Sequence, residues 1–159
     1  MLQKLLHTRD DMSLAVLRLA MGVVFFAHGA QKMLGWFGGY GFSGTMGFFT
    51  QNLHIPSVFA LLAIAAEFFG GLGLIVGFLG RIAAFGIATN MLVAVLMIHH
   101  KFGFFMNWTG KQAGEGMEYF LLAIAAAVVV LVQGSGALSV DGSLTRPAPA
   151  PVSELRRAA

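Results

Sequence analysis

Residues 56–79 read PSVFALLAIAAEFFGGLGLIVGFL, an apolar run of 24 residues that contains one charged side chain, Glu67. At about 1.5 Å of rise per residue, a run of this length can cross the roughly 30 Å hydrocarbon core of a bilayer as an α-helix. Pro56 suits the first turn of such a helix, where a missing N–H is tolerated. The run therefore predicts a membrane-spanning helix.

Three similar runs lie on either side of this one, at residues 14–34, 82–100 and 117–133. The four runs have between 17 and 24 residues each. Gly80 and Arg81 leave almost no loop between the second and third runs, so these two are expected to be antiparallel neighbours. The predicted fold is all-α, an integral membrane four-helix bundle.

The composition of the whole chain indicates a lipid environment. Of its 159 residues, 57 % are hydrophobic and 11 % are charged, with a mean hydropathy of +0.78, whereas a soluble domain carries about 25 % charged residues. The absence of cysteine excludes disulfides, thiol redox chemistry, Cys-ligated zinc and iron–sulfur centres in this chain. Its ten Lys and Arg residues form no cluster, so nucleic acid is not expected as a partner.

The basic residues also predict the orientation of the chain, because cytoplasmic loops of membrane proteins are enriched in Lys and Arg. The terminal segments and the turn at Gly80 carry six of them and the two other loops carry three: Lys4, Arg9, Arg81, Arg146, Arg156 and Arg157, against Lys32, Lys101 and Lys111. Both termini are therefore predicted to be cytoplasmic. The predicted organisation is a cytoplasmic segment at 1–13, a membrane domain at 14–141 and a disordered cytoplasmic tail at 142–159.

A weak internal repeat suggests that the four helices form two pseudo-repeated helical hairpins. The first and third runs both end in histidine and lysine followed by a glycine-aromatic loop, at residues 28–39 and 99–108. The second and fourth runs both contain a glutamate followed by two aromatic residues, at Glu67 and Glu118. The spacings differ, so the repeat competes with coincidence in a biased composition.

Ionised side chains inside the apolar runs are the first candidates for function, because they are costly in lipid and usually meet a partner inside the bundle. At 100° per residue, Arg18, Lys32 and His28 fall on one side of the first helix. Glu67 is the only acid deep within a run. We therefore expect Arg18 to pair with Glu67. The pair is either a structural contact that fixes helix register or a catalytic site in which Glu67 relays a proton.

His28, His99 and His100 are expected near the same, non-cytoplasmic end of two parallel helices. Three roles are open for them: interfacial histidines that bond backbone or headgroups, quinone ligands, or haem b ligation by His28 and His99. Haem b is the weaker alternative, and no His or Glu spacing supports a metal site. For a quinone, we expect a pocket lined by His28, Lys32, Trp36 and His99.

Taken in order, several of these motifs resemble the DoxX family of small bacterial membrane proteins. They are Leu17-Arg18-Leu19, residues 28–39 (HGAQKMLGWFGG), Glu67 with Gly70-Gly71 and Gly77, Arg81, residues 99–105, Glu118-Tyr119 and Leu138-Ser139-Val140-Asp141. The resemblance covers roughly residues 13–141, which is nearly the whole chain apart from its ends.

The resemblance implies a four-helix protein of the bacterial inner membrane. The family takes its name from association with a terminal quinol oxidase and with a thiosulfate:quinone oxidoreductase system, so redox partner proteins are implied as well. Since the chain has no cysteine, any thiol chemistry would belong to such a partner. The favoured function is a small, quinone-interacting subunit of a membrane redox complex. The alternatives are a proton-coupled transporter, which needs a homodimer because four helices are few, and a membrane scaffold for soluble redox enzymes.

Overall fold

The computed structural model describes residues 2–145 and shows an all-helical protein, with no strand in that part of the chain. Seven α-helices follow one another: α1 (Leu2–Leu6), α2 (Met12–Leu34), α3 (Gly41–Gly47), α4 (Ser57–Val76), α5 (Gly80–Met97), α6 (Glu118–Gln133) and α7 (Val140–Thr145). The four apolar runs correspond to α2, α4, α5 and α6, so the all-α prediction is confirmed.

Three of these helices, α2, α4 and α5, are long and apolar enough to cross a membrane. The fourth, α6, is apolar but has 16 residues, and at ~1.5 Å per residue it is about 24 Å long. Since the hydrocarbon core of a bilayer is roughly 30 Å thick, the fourth crossing stays a prediction.

Close glycine contacts hold α2 against α4 and make them antiparallel neighbours. A Cβ on Gly29 would lie 2.4 Å from the Cα of Phe68, and one on Gly22 would lie 2.8 Å from the nitrogen of Ile75. Only a residue without a side chain allows two helix backbones to approach so closely. Because the facing numbers fall along α4 as they rise along α2, the two helices run in opposite directions.

The antiparallel order gives the bundle two different ends. At one end, which we call the clasp end, α1 contacts α5 and α7, and Arg81 at the start of α5 bonds to Leu131 and Val132 near the end of α6. The other end, the loop end, carries the connections 35–56 and 98–117. Residues 2 and 145, the limits of the described chain, therefore lie at the same end of the bundle.

The two hairpins differ in the position of their glutamates. Glu118 opens α6, and its Oε1 accepts hydrogen bonds from the Met106 N–H at 2.9 Å and the Trp108 indole at 3.0 Å. Glu67 lies instead in the middle of α4, where it is buried. Because the two residues differ in depth and partners, the hairpin repeat stays a prediction.

Apolar residues cover much of the outside of the bundle as well as its interior. One interior cluster joins α2, α4, α5 and α6, with Phe25, Leu74 and Ile87 among its members. Large apolar side chains on the outer faces are more than half exposed, among them Leu62, Phe69, Phe85, Leu96 and Leu122. A surface of this kind marks contact with lipid or another apolar partner.

The tail predicted from residue 142 onward begins in a helix. Residues 142–145 belong to α7, where Gly142 and the preceding Asp141 are buried at the clasp end. The rest of the predicted tail, residues 146–159, lies outside the described residues. The sequence placed this boundary by the prolines, whereas the buried Asp141 anchors the chain beyond the last apolar run.

Candidate functional site

A buried ion pair joins α2 to α4 in the half of the bundle nearer the loop end. The Nζ of Lys32 lies 2.5 Å from Oε2 of Glu67, and the other carboxylate oxygen accepts a hydrogen bond of 2.8 Å from the Asn90 amide on α5. The Glu67 side chain is 5 % exposed and that of Lys32 is 25 % exposed. Both oxygens of the carboxylate are therefore engaged by side chains, and three helices meet at one acid.

The glycine contact between α2 and α4 brings this pair together. Gly29 packs directly on the backbone of Phe68, the residue after Glu67, and a Cβ there would also lie 2.7 Å from the Glu67 carbonyl carbon. Lys32 follows Gly29 by three residues, which places it on the same face of α2 one turn nearer the loop end. Its flexible stem then reaches back to the carboxylate, and Nζ also lies 3.5 Å from the His28 carbonyl oxygen.

Beside the ion pair lies a phenol that lacks a partner. The Tyr119 hydroxyl is the only buried side-chain nitrogen or oxygen between residues 2 and 145 that makes no hydrogen bond. Tyr119 belongs to the first turn of α6 and packs against the interior apolar cluster, which includes Met91, the neighbour of Asn90 on α5. Since buried polar atoms normally have partners, this hydroxyl is the one open hydrogen-bonding position at the site.

His99 is connected to Tyr119 through the ring of Phe120. Its ring stacks on Phe120 with centroids 3.9 Å apart, and Phe120 in turn packs edge-on against Tyr119 at 5.4 Å. The His99 Nδ1 is 2.8 Å from the Glu115 carbonyl oxygen. An aromatic row therefore leads from the half-buried histidine to the phenol beside Glu67.

The predicted pair between Arg18 and Glu67 is wrong. Arg18 is completely buried at the clasp end, whereas Glu67 pairs with Lys32, which lies 14 residues and about 21 Å further along α2. The Arg18 guanidinium donates only to main-chain carbonyls: Leu74, Ile75 at 2.8 Å, Ser135 at 2.7 Å, Leu138 at 3.2 Å and Ala137 at 3.5 Å. It ties the end of α4 to the segment that precedes α7 and lies away from the candidate site.

Asp141 is a second buried acid at the clasp end. Its Oδ1 accepts the Leu79 N–H at 2.9 Å, and its Oδ2 accepts the Gly80 N–H at 3.0 Å and the Ser135 hydroxyl at 2.6 Å. The carboxylate thus caps the start of α5 and satisfies N–H groups that a helix leaves open. We call Arg18, Ser135, Asp141 and the turn 77–80 the clasp.

Two of the four residues predicted to line a quinone pocket point elsewhere. The His28 side chain is exposed on α2, and Trp36 is 52 % exposed on a 3-10 turn that follows this helix. Lys32 contacts Glu67, and His99 contacts Phe120, the residue after Tyr119. The structure thus brings Lys32 to Glu67 and leaves His28 and Trp36 outside this contact.

Asn90, Tyr119 and the clasp residue Asp141 were missed as site residues. Asn90 carries a polar amide inside an apolar run. Its position could have indicated a site residue, because polar residues in membrane helices normally face a partner. Tyr119 and Asp141 belong to the motifs that resemble the family, but no role was assigned to either residue from the sequence. Within the described part of the chain, no three His, Asp or Glu side chains come together as a metal site.

Comparison with known proteins shows to which family the chain is related. A model of the DoxX family matches residues 13–100, more than half of the chain. The chain is similar to Inner membrane protein YqjF of Escherichia coli (strain K12), with 28 % identity over 142 residues, which cover 86 % of this chain and 95 % of that protein. No solved structure matches the chain.

Two further relatives have similar coverage. "Putative oxidoreductase CatD" of Bacillus subtilis (strain 168) is 27 % identical over 126 residues, 79 % of this chain and 82 % of that protein. Inner membrane protein YphA of Escherichia coli (strain K12) is 27 % identical over 132 residues, which cover 80 % of this chain and 87 % of that protein. Since one family model spans α2, α4 and α5, including Arg18, Lys32, Glu67 and Asn90, this membrane protein belongs to the DoxX family.

Proposed function

We propose that this protein is a subunit of an inner-membrane redox complex that binds the headgroup of a quinone between Tyr119 and the Lys32–Glu67 pair. The observation that carries the proposal is the unpartnered Tyr119 hydroxyl, buried beside a charged and otherwise satisfied cluster. A quinone carbonyl is an acceptor of the kind that this hydroxyl lacks. The oxidoreductase named among the relatives agrees with a redox role.

The neighbouring side chains suit the chemistry of such a ligand. Reduction of a quinone to a quinol takes up two electrons and two protons, and in this proposal the electrons come from a partner protein. Lys32 and Glu67 form a proton-carrying pair, because an ammonium can give a proton and a carboxylate can hold one. Phe120, which contacts both His99 and Tyr119, offers apolar surface for the quinone ring.

The position along the bundle also fits a quinone headgroup. Tyr119 is the second residue of α6, at the end of this helix that faces the loop end, whereas Glu67 lies in the middle of α4. The carbonyls of a membrane quinone must meet proton donors near an interface while its tail stays in hydrocarbon. In the proposed topology α6 completes a fourth crossing, both termini lie in the cytoplasm as the basic residues predict, and the site lies on the opposite side.

The test measures quinone binding with two matched tyrosine variants. Purified protein in detergent is titrated with a short-tail ubiquinone analogue, and binding is followed by tryptophan quenching. Tyr119→Phe is expected to weaken binding about threefold to tenfold, the range for one lost hydrogen bond. Tyr40→Phe is the control, because Tyr40 is the only other tyrosine and is 86 % exposed.

Extraction of the protein with bound lipids gives an independent readout. Quinone should copurify with the wild type and be depleted in Tyr119→Phe. Equal affinity of the two tyrosine variants, or wild-type protein that binds no quinone by either method, would contradict the proposal.

The buried ion pair favours one other function, proton-coupled transport through Glu67. Glu67 is the only charged residue of α4, and a carboxylate held between Lys32 and Asn90 can exchange protons. This function predicts a proton flux in proteoliposomes that Glu67→Gln abolishes and Tyr119→Phe preserves. Flux of that kind would replace the quinone proposal.

A further inference from the structure

A basic and apolar groove lies at the clasp end, away from the candidate quinone site. It has a volume of about 450 Å³ and is lined by residues of α1, α5 and α6: Lys4, Leu5, Arg81, Ile82, Phe85 and Leu131. Its two charged members are both cations, and no acid lines it. The groove therefore combines positive charge with an apolar wall.

The positive charge of this groove is not neutralised by any acid in the described chain. Arg81 donates only to main-chain carbonyls, to His7 at 3.2 and 3.3 Å and to Val132 at 2.8 Å, besides Leu131. These bonds orient the guanidinium but carry no opposite charge. Between residues 2 and 145 the only ion pair is the one between Lys32 and Glu67, so Lys4 and Arg81 both keep their attraction for an anion.

The apolar wall runs from the charges toward the middle of the bilayer. Arg81 is the second residue of α5, and Phe85 follows it by four residues, one turn deeper on the same face. Ile82 is 49 % exposed and Phe85 is 61 % exposed, so both offer surface to a hydrocarbon chain. Cations at the membrane edge above an apolar face match the order of phosphate and acyl chain in a phospholipid.

A second groove at the same end provides an internal contrast. It has a volume of about 650 Å³ and is formed by Asp10, Met12 and Val76 with residues of the segment 137–143. No basic side chain lines it, and one acid does. Of the two grooves, only the one formed by α1, α5 and α6 is therefore lined by cations.

We propose that the groove formed by α1, α5 and α6 binds an anionic phospholipid. Lys4 and Arg81 contact the phosphate, and Ile82, Phe85 and Leu131 contact an acyl chain. The lipid links the short helix α1 to the membrane domain, which α1 otherwise contacts through α5 and α7. This site lies at the opposite end of the bundle from Tyr119, so lipid binding here can be tested independently of quinone binding.

The test uses native mass spectrometry of the delipidated full-length protein titrated with phosphatidylglycerol or phosphatidylcholine of equal chain length. The wild type is expected to bind phosphatidylglycerol more tightly. Lys4→Gln should weaken this binding about fivefold, the effect of one basic residue near an anionic surface. Lys101→Gln is the matched control, because Lys101 is also an exposed lysine but belongs to the loop end. Phe85→Ala should also weaken binding of the long-chain lipid.

Three outcomes would overturn the proposal. One is equal binding of the two lipids, and another is an equal loss in Lys4→Gln and Lys101→Gln, which would indicate a general surface charge. The third is competition by glycerol 3-phosphate as strong as that of the lipid, which would indicate a site for a soluble anion.

Discussion

The two buried charged regions of this protein are built in opposite ways. In the clasp, the guanidinium of Arg18 and the carboxylate of Asp141 bond mostly to the main chain, which cannot change protonation or rotate away. Around Glu67, the partners are the side chains of Lys32 and Asn90. One region joins backbone segments, and the other gathers movable, titratable groups.

The different partners of the two regions indicate different contributions to the protein. Charges that are fully bonded to the backbone rigidify the ends of helices. Removing such a charge leaves several buried polar groups without a hydrogen-bond partner at once. Near the Glu67 cluster, the Tyr119 hydroxyl leaves one hydrogen bond unmade, which a further partner could complete. The clasp should therefore control stability, and the Glu67 region should control binding.

The largest effect is expected for Arg18→Leu. The change leaves the carbonyls of α4 and of the segment before α7 without donors in an apolar interior, at a cost of about 3–5 kcal/mol in the free energy of unfolding. Unfolding of the purified protein by a denaturing detergent measures this cost. Arg9→Leu is the control, because Arg9 is exposed and should change stability by less than about 0.5 kcal/mol. Equal stability of both variants would break the contrast between the regions.

A medium effect is expected when the same chemical change is made in both regions. Asp141→Asn should cost about 1–3 kcal/mol, because an amide nitrogen would face one of the N–H groups that the carboxylate now accepts. Glu67→Gln should cost less than about 1 kcal/mol, because it keeps an acceptor for Asn90 and Lys32 can extend toward water. Thermal unfolding of the two variants side by side tests the order, and a reversed order would show that the ion pair also carries the fold.

The smallest effect on stability is expected for Tyr119→Phe. Removing a buried hydroxyl that has no partner should leave the free energy of unfolding unchanged within about 0.5 kcal/mol, or raise it slightly. The same denaturation measurement applies. A loss above about 1.5 kcal/mol would reveal a structural hydrogen bond of this hydroxyl, and the region would then resemble the clasp.

The helices themselves could be predicted from the apolar runs, because lipid selects for length and hydropathy in a way that a linear sequence displays. Glu67 could also be recognised as a buried acid, since it is the only charge in its run. The helix α7 could not be predicted, because the burial of its start depends on Asp141 meeting the turn at residues 79–80.

The partner of Glu67 could not be predicted because it depends on helix register. Charge and depth in the sequence indicated Arg18 as its cation, whereas the structure pairs Glu67 with Lys32. The choice is made where Gly22 and Gly29 let α2 settle against α4, so that Glu67 faces the later part of α2. A contact between two backbones through missing side chains leaves no charge pattern from which the register could be inferred.

The clasp also determines the order of assembly. Arg18 is synthesised 117 residues before Ser135 and 120 before Leu138, so at about 5–20 residues per second its last acceptors emerge roughly 6–24 s later. During that interval Arg18 can donate to Leu74 and Ile75 of α4, but not yet to the segment that precedes α7. The clasp can therefore close only after the segment that precedes α7 has been synthesised, which makes it one of the last contacts of the bundle to form.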